Sequence, residues 1–151
     1  MNDLVRVMAL GGLDENGRDC YVVEINNNIF VLDCGTCIPD KTAPGIDYMI
    51  PNPKYLIDNK DRIRGYFITH GHDESMSGLK YFYNQAPAPV YATKETLGLM
   101  QGQALSVRMK FNPNVVVVEP SCILNVAGRE VRFFQTCHNT VNSCGIAIQT
   151  S

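Results

Sequence analysis

All three histidines of the chain stand where a single metal pocket would need them. His70 and His72 lie in Thr69-His70-Gly71-His72, directly after the apolar run Gly65-Tyr66-Phe67-Ile68, and His138 follows the segment that ends Phe133-Phe134. A His-x-His at the end of a strand aims both imidazoles the same way, because alternate side chains of an extended chain share a face. Neutral imidazole suits zinc and other divalent transition ions, and two ligands from one loop need a third from elsewhere. His138 offers it. Strand-end histidines held by hydrogen bonds alone, with no metal, are the other explanation, and sequence alone leaves both open.

Cysteines are the next reactive set. Cys34-Gly35-Thr36-Cys37 has the spacing of a redox pair or of half a zinc site, but Cys20, Cys122, Cys137 and Cys144 supply no second pair at similar spacing. Without a secretory leader, reduced thiols buried as small apolar groups are expected. Gly11 and Gly12 follow a strand-like segment but lack the spaced pattern of a dinucleotide loop, so they read as a backbone turn.

The elements that must position these groups are mostly legible from pattern. Leu4 to Leu10 reads as a strand, followed by a polar break; Cys20–Ile25 and Ile29–Asp33 flank Asn26-Asn27-Asn28 as a hairpin, since asparagine tolerates positive φ. A loop rich in Pro, Gly and Asp spans 39–53 and could border a site, with a short helix expected over Lys54–Lys60. Then come the strand before His70, a helix from about Gly78 to Gln85, the strand Val90–Ala92, and a helix capped by Thr93 with Glu95 in its first turn. The tail returns to β structure at Val115–Val118, Glu130–Phe134 and Gly145–Ile148, with a turn near Asn125 to Gly128. Strands and helices alternating between β-rich ends predict a layered α/β fold whose site sits at a sheet edge, where loops gather.

Composition narrows the function. With 151 residues, 45% of them hydrophobic and a formal charge of -2, the chain has material for one core and no strongly basic patch that would by itself imply nucleic-acid binding. The mild basic cluster Lys54, Lys60, Arg62 and Arg64 fits a solvated face as well as phosphate contact, and Tyr81, Phe82 and Tyr83 read as packing rather than as base-stacking platforms. No apolar run approaches the ~18 residues of a membrane span and no signal peptide is visible, so a cytoplasmic protein is expected.

Taken in order, Ala9-Leu10-Gly11-Gly12, Cys20 to Glu24, Ile29 to Gly35, Gly45 to Pro51 and Ile68 to His72 resemble the start of the ribonuclease J family, within the metallo-β-lactamase fold and its β-CASP nucleases. The resemblance covers nearly the whole chain. It implies a metallo-β-lactamase-like αββα sandwich, of which this chain would be the N-terminal half only, with the β-CASP insertion and the C-terminal half outside it. It also implies an RNA-processing hydrolase with 5′-to-3′ exonuclease and endonuclease action that uses two zinc ions.

Residue by residue the resemblance is uneven. Asp33 matches the family's aspartate at the end of the strand after the hairpin and would support the histidine loop through hydrogen bonds. The motif His-x-His-x-Asp-His reads His70-Gly71-His72-Asp73-Glu74-Ser75 here, so Glu74 takes the aspartate position as a tentative catalytic residue and Ser75 replaces the last histidine. Asp73 could substitute only if the loop shifts register. The third motif keeps His138, while Val141 and Asn142 stand where the family has proline and aspartate.

The metal ligands expected are therefore His70, His72 and His138, holding at most one zinc ion, with impaired nuclease activity and no processive cleavage by this chain alone. RNA would be the partner of the full-length protein, which could assemble with itself or with a ribonuclease J paralogue. A non-catalytic partner subunit of an active ribonuclease J is the second reading. Another metallo-β-lactamase-fold hydrolase, acting on thioesters or small esters, is the third.

Overall fold

The computed structural model describes residues 2–40 and 43–151; Lys41 and Thr42, part of the expected 39–53 loop, lie outside the described residues. Six strands form one sheet in chain order: β1 (Val5–Gly11), β2 (Cys20–Ile25), β3 (Asn28–Leu32), β4 (Ile63–Phe67), β5 (Val90–Ala92) and β6 (Val115–Val117). The first three run antiparallel, and β3 through β6 run parallel. The β2–β3 hairpin turns on Asn26, whose φ of 54 is the positive value that asparagine tolerates. A second sheet of β7 (Ile123–Val126), β8 (Arg129–Gln135) and β9 (Cys144–Ile148) is an antiparallel meander.

Alternation of side chains along the central strands builds two cores, one on each face of the large sheet. On one face Val22, Val31, Tyr66, Ile68 and Val90 pack against Leu56 of α1 (Lys54–Asp58), Met76 of α2 (Asp73–Met76), and Leu97 and Met100 of α3 (Lys94–Ser106). On the other face Ile25, Phe30 and Phe67 meet Val126, Val131, Phe133 and Cys144 of the second sheet. The Phe67 ring stacks on Tyr91 at 4.7 Å and touches Phe133 at 6.3 Å. The order helix, sheet, sheet supplies three consecutive layers of the expected αββα sandwich. Among the described residues no helix covers the outer face of the second sheet, where Ile123 and Phe134 are exposed.

Two expectations are corrected. The stretch Gly78–Gln85 is not one helix but two 3-10 turns, Leu79–Tyr81 and Tyr83–Gln85, separated by Phe82 at φ -133. The break lets Leu79, Phe82 and Tyr83 all enter the core, which agrees with the packing role read for these aromatics. Strand β7 was not expected; it pairs with β8 through a turn in which Ala127 and Gly128 both take positive φ. The helix α1 stops at Asp58, and among the described residues no helix is long and apolar enough to cross a membrane.

Candidate metal centre

The centre forms where the loops after β3, β4 and β8 meet. Strand β3 ends at Leu32, and Asp33 leaves it in a left-handed conformation with φ 57. Its backbone N–H donates to Phe67 O at 3.0 Å, which fixes the ends of β3 and β4 together. His70 and His72 lie beyond the last residue of β4 in extended loop. The loop is tied to the second sheet by Cys144 N–H donating to Thr69 O at 2.9 Å. That bond, with the Thr136–Ser143 pairing between β8 and β9, brings the His138 loop against the first two histidines.

The three imidazoles converge through His70 Nε2, His72 Nδ1 and His138 Nε2. The His72 nitrogen lies 3.2 Å from each of the other two, and all three atoms fall within 4.8 Å of one another. Hydrogen bonding alone does not explain this. A ring nitrogen carries one proton or one lone pair, so His72 Nδ1 cannot satisfy two neighbouring nitrogens. Metal–nitrogen bonds of about 2.0–2.1 Å in a tetrahedron place their nitrogens about 3.3 Å apart, close to the observed spacing. The donor set thus fits a divalent metal ion.

Behind His70 runs a short chain of hydrogen bonds. Thr69 donates its backbone N–H to Asp33 Oδ1 at 2.8 Å and its hydroxyl to Asp33 Oδ2 at 2.9 Å. Having given its only proton to the carboxylate, the hydroxyl accepts the Nδ1–H of His70 at 2.8 Å, which leaves the Nε2 lone pair facing the other histidines. Burial, then the neighbouring His72 and His138, lowers the pKa of His70, so the ring is neutral and free to ligate. Burial pushes the Asp33 carboxyl up to about 7, opposed by the two hydrogen bonds from Thr69. Thr69 was not singled out by sequence reasoning, although it adjoins His70 in the motif.

The turn that follows is different. Glu74 Oε1 lies 3.3 Å from His72 Nδ1. Asp73 faces away: its Oδ1 accepts from the side-chain amide of Gln103, with the Ser77 hydroxyl 3.1 Å distant, so the register shift that would bring it to the metal is not seen. Ser75 is buried, and its hydroxyl has no hydrogen-bond partner. The backbone of α2 is clamped from two loops: Cys34 N–H donates to Ser75 O and Thr36 N–H to Asp73 O from the loop after β3, and Asp19 N–H donates to Glu74 O from the loop between β1 and β2. Gly35 permits this approach, since a Cβ there would stand 1.5 Å from Glu74 O.

Cysteine chemistry is absent from the centre. Cys34 is fully buried against Cys20, burial raises its pKa well above the ordinary thiol value, and Cys37 closes a bridge with Met49; among the described residues all six thiols are free. Of the basic cluster, Arg62 pairs with Glu24, Arg64 with Asn28 and Lys54 with Asp58. A cleft of about 640 Å³, bordered by Asn16, Thr36, Cys37, Tyr48, His72 and Glu74, opens beside the histidines, and Tyr48 comes from the loop expected to border a site.

Fold and site together define a metallo-β-lactamase-type scaffold, and residues 13–140 match the metallo-beta-lactamase superfamily model, so the chain belongs to that superfamily. Within it, the chain is 37% identical over 147 residues to ribonuclease J2 of Bacillus subtilis (strain 168), a match that covers 97% of this chain and 26% of that protein. It is 33% identical over 150 residues to ribonuclease J 2 of Staphylococcus saprophyticus, covering 99% and 27% respectively. The chain thus spans about a quarter of the length of these curated relatives. Among solved structures it resembles a protein of unknown function from Enterococcus faecalis V583 (TM-score 0.71, 14% identity, 97% of this chain and 41% of that one). It also resembles the short form of human tRNase Z (TM-score 0.61, 17% identity, 95% and 64%). These two likenesses concern the fold.

Proposed function

We propose that the chain is the metal-binding part of a ribonuclease J-like RNA hydrolase, with His70, His72 and His138 holding one zinc ion. The observation that carries this is the convergence of three ring nitrogens, two of them 3.2 Å from the third, with no hydrogen-bonding pattern that would account for it. RNA as substrate and phosphodiester hydrolysis as reaction are supported by the likeness to ribonuclease J2 over 97% of the chain. When bound, zinc supplies Lewis-acid polarisation of a phosphoryl oxygen and lowers the pKa of water.

The chain's own residues do the rest. Asp33 and Thr69 hold the His70 proton on Nδ1, and the cleft along Asn16, Thr36 and Tyr48 leads substrate to the histidines. A two-ion hydrolase needs a second set of donors, which Asp73, bound to Gln103, and Ser75, buried without a partner, do not supply. Impaired activity follows. The chain is then the N-terminal part of its domain, with the β-CASP insertion and C-terminal half beyond it. A cytoplasmic location, RNA as partner of the full-length protein, and assembly with itself or a paralogue belong to the same reading. The same two residues favour, as a second reading, a non-catalytic subunit that partners an active ribonuclease J.

Elemental analysis of protein purified without chelators or a histidine tag tests the site. One zinc per chain, lost in His72→Ala, is expected, and no metal in the parent protein would overturn it. Incubation with 5′-monophosphorylated RNA tests the impairment, which rapid zinc-dependent degradation by this chain would overturn.

A further inference from the structure

We propose that Glu74 is a fourth ligand of the ion held by His70, His72 and His138, so that the coordination is closed by protein and keeps no open position. This rests on the three-histidine reading above. The geometry centres on His72 Nδ1, which lies 3.2 Å from His70 Nε2, 3.2 Å from His138 Nε2 and 3.3 Å from Glu74 Oε1. Four donors around a cation at about 2.0–2.1 Å stand about 3.3 Å apart along every edge of the tetrahedron. Three such edges meet at His72.

An ordinary His72–Glu74 hydrogen bond explains less. A proton on His72 Nδ1 would serve the carboxylate and leave two other ring nitrogens facing it, while a lone pair there would face an acceptor-only carboxylate. A single cation is satisfied by the three histidines gathered around it, and the Glu74 carboxylate, already beside His72, joins them by rotation of its half-exposed side chain.

Local structure leaves Glu74 for this task. Its main chain is fixed by Asp19 N–H on its carbonyl at 2.9 Å and by close contact with Gly35, so the turn cannot slide. Asp73 is committed to Gln103, and Ser75 is buried. The Glu74 side chain is 42% exposed, free to swing onto the ion without disturbing the core. Its charge also lowers the net charge of an otherwise all-imidazole site from +2 to +1. Among the described residues no other group of three ligating side chains forms. A site with four protein ligands is of the structural type, so its ion braces the loops after β4 and β8, and of the two readings above this coordination favours the non-catalytic subunit.

Cobalt(II) titration of the apo-protein tests this, read by stoichiometry, affinity and visible spectrum. The parent chain binds one ion with the intense bands of four-coordinate cobalt, unchanged as pH passes through about 7, where an exposed metal-bound water would ionise. Glu74→Gln binds at least roughly 10-fold more weakly and gains a spectral change near that pH, because water takes the vacated position. Glu74→Asp, one methylene shorter, shares the weaker binding. Equal affinity and spectrum in the parent and Glu74→Gln would overturn the fourth ligand while leaving the three histidines standing. No cobalt bound by the parent would overturn the three-histidine site itself.

Discussion

The two halves of the histidine loop are built to different standards. On the His70 side both Asp33 carboxylate oxygens, the Thr69 N–H and hydroxyl, and His70 Nδ1 have partners at 2.8 to 2.9 Å, and the lone pair that results points into the centre. On the Ser75 side one hydroxyl is buried without a partner, one carboxylate faces away to Gln103, and only Glu74 reaches the histidines. The first half therefore reads as a braced histidine site, and the second as a turn held by its backbone, at two carbonyls by the loop after β3 and at a third by Asp19, with Glu74 alone turned to the histidines.

The comparison breaks most visibly at the ligands. His72→Ala should weaken metal binding by more than about 100-fold, beyond the roughly 10- to 100-fold typical of losing an outer partner, and isothermal titration with zinc measures it. Gly35→Ala strikes the other half: a Cβ 1.5 Å from Glu74 O must displace α2, with an expected loss of about 2–3 kcal/mol in urea unfolding. If Gly35→Ala is neutral, the clamp on α2 is looser than described.

Asp33→Asn probes the braced half more finely. The new amide would donate to the Thr69 hydroxyl, which would turn its proton onto His70 Nδ1 and move the ring proton to Nε2, facing the metal. Zinc affinity should fall roughly 10- to 100-fold with the fold intact. The same variant carries a pH signature. The Asp33 carboxyl has a folded value of about 7 against an ordinary 3.8, so the folded metal-free protein holds a proton that the unfolded chain has released. Its stability should fall as pH rises from about 4 to about 7 and then level off, and that component should vanish in Asp33→Asn. An unchanged slope in denaturant titrations would mean that Asp33 ionises normally.

Much of this is legible in the sequence. The histidine trio, Asp33 at the end of β3, the Asn26 turn and the Thr93 cap each have a local signature of spacing or backbone preference. What could not be read was set by long-range contact. Thr69 becomes part of the site because β3 and β4 are neighbours, and the contacts that seat His138, the bond from Cys144 N–H to Thr69 O and the Thr136–Ser143 pairing, have no local signature. The four residues of α2 carry no helical periodicity of their own; the loop around Cys34 to Thr36 holds them. The Gly78–Gln85 stretch has helical composition, yet burial of Phe82 and Tyr83 broke it into 3-10 turns.

The smallest effect discriminates the halves most sharply. Ser75 is 1% exposed and its hydroxyl has no partner, so the folded state gives up the hydration that the unfolded chain enjoys and receives nothing in exchange. Ser75→Ala removes that cost with almost no change of shape. The protein should gain about 1 kcal/mol, a rise of roughly 2–4 °C in Tm, with zinc affinity unchanged within about twofold. A loss of affinity would mean that the hydroxyl turns toward the ion when metal is bound, and Ser75 would then join Glu74 at the site.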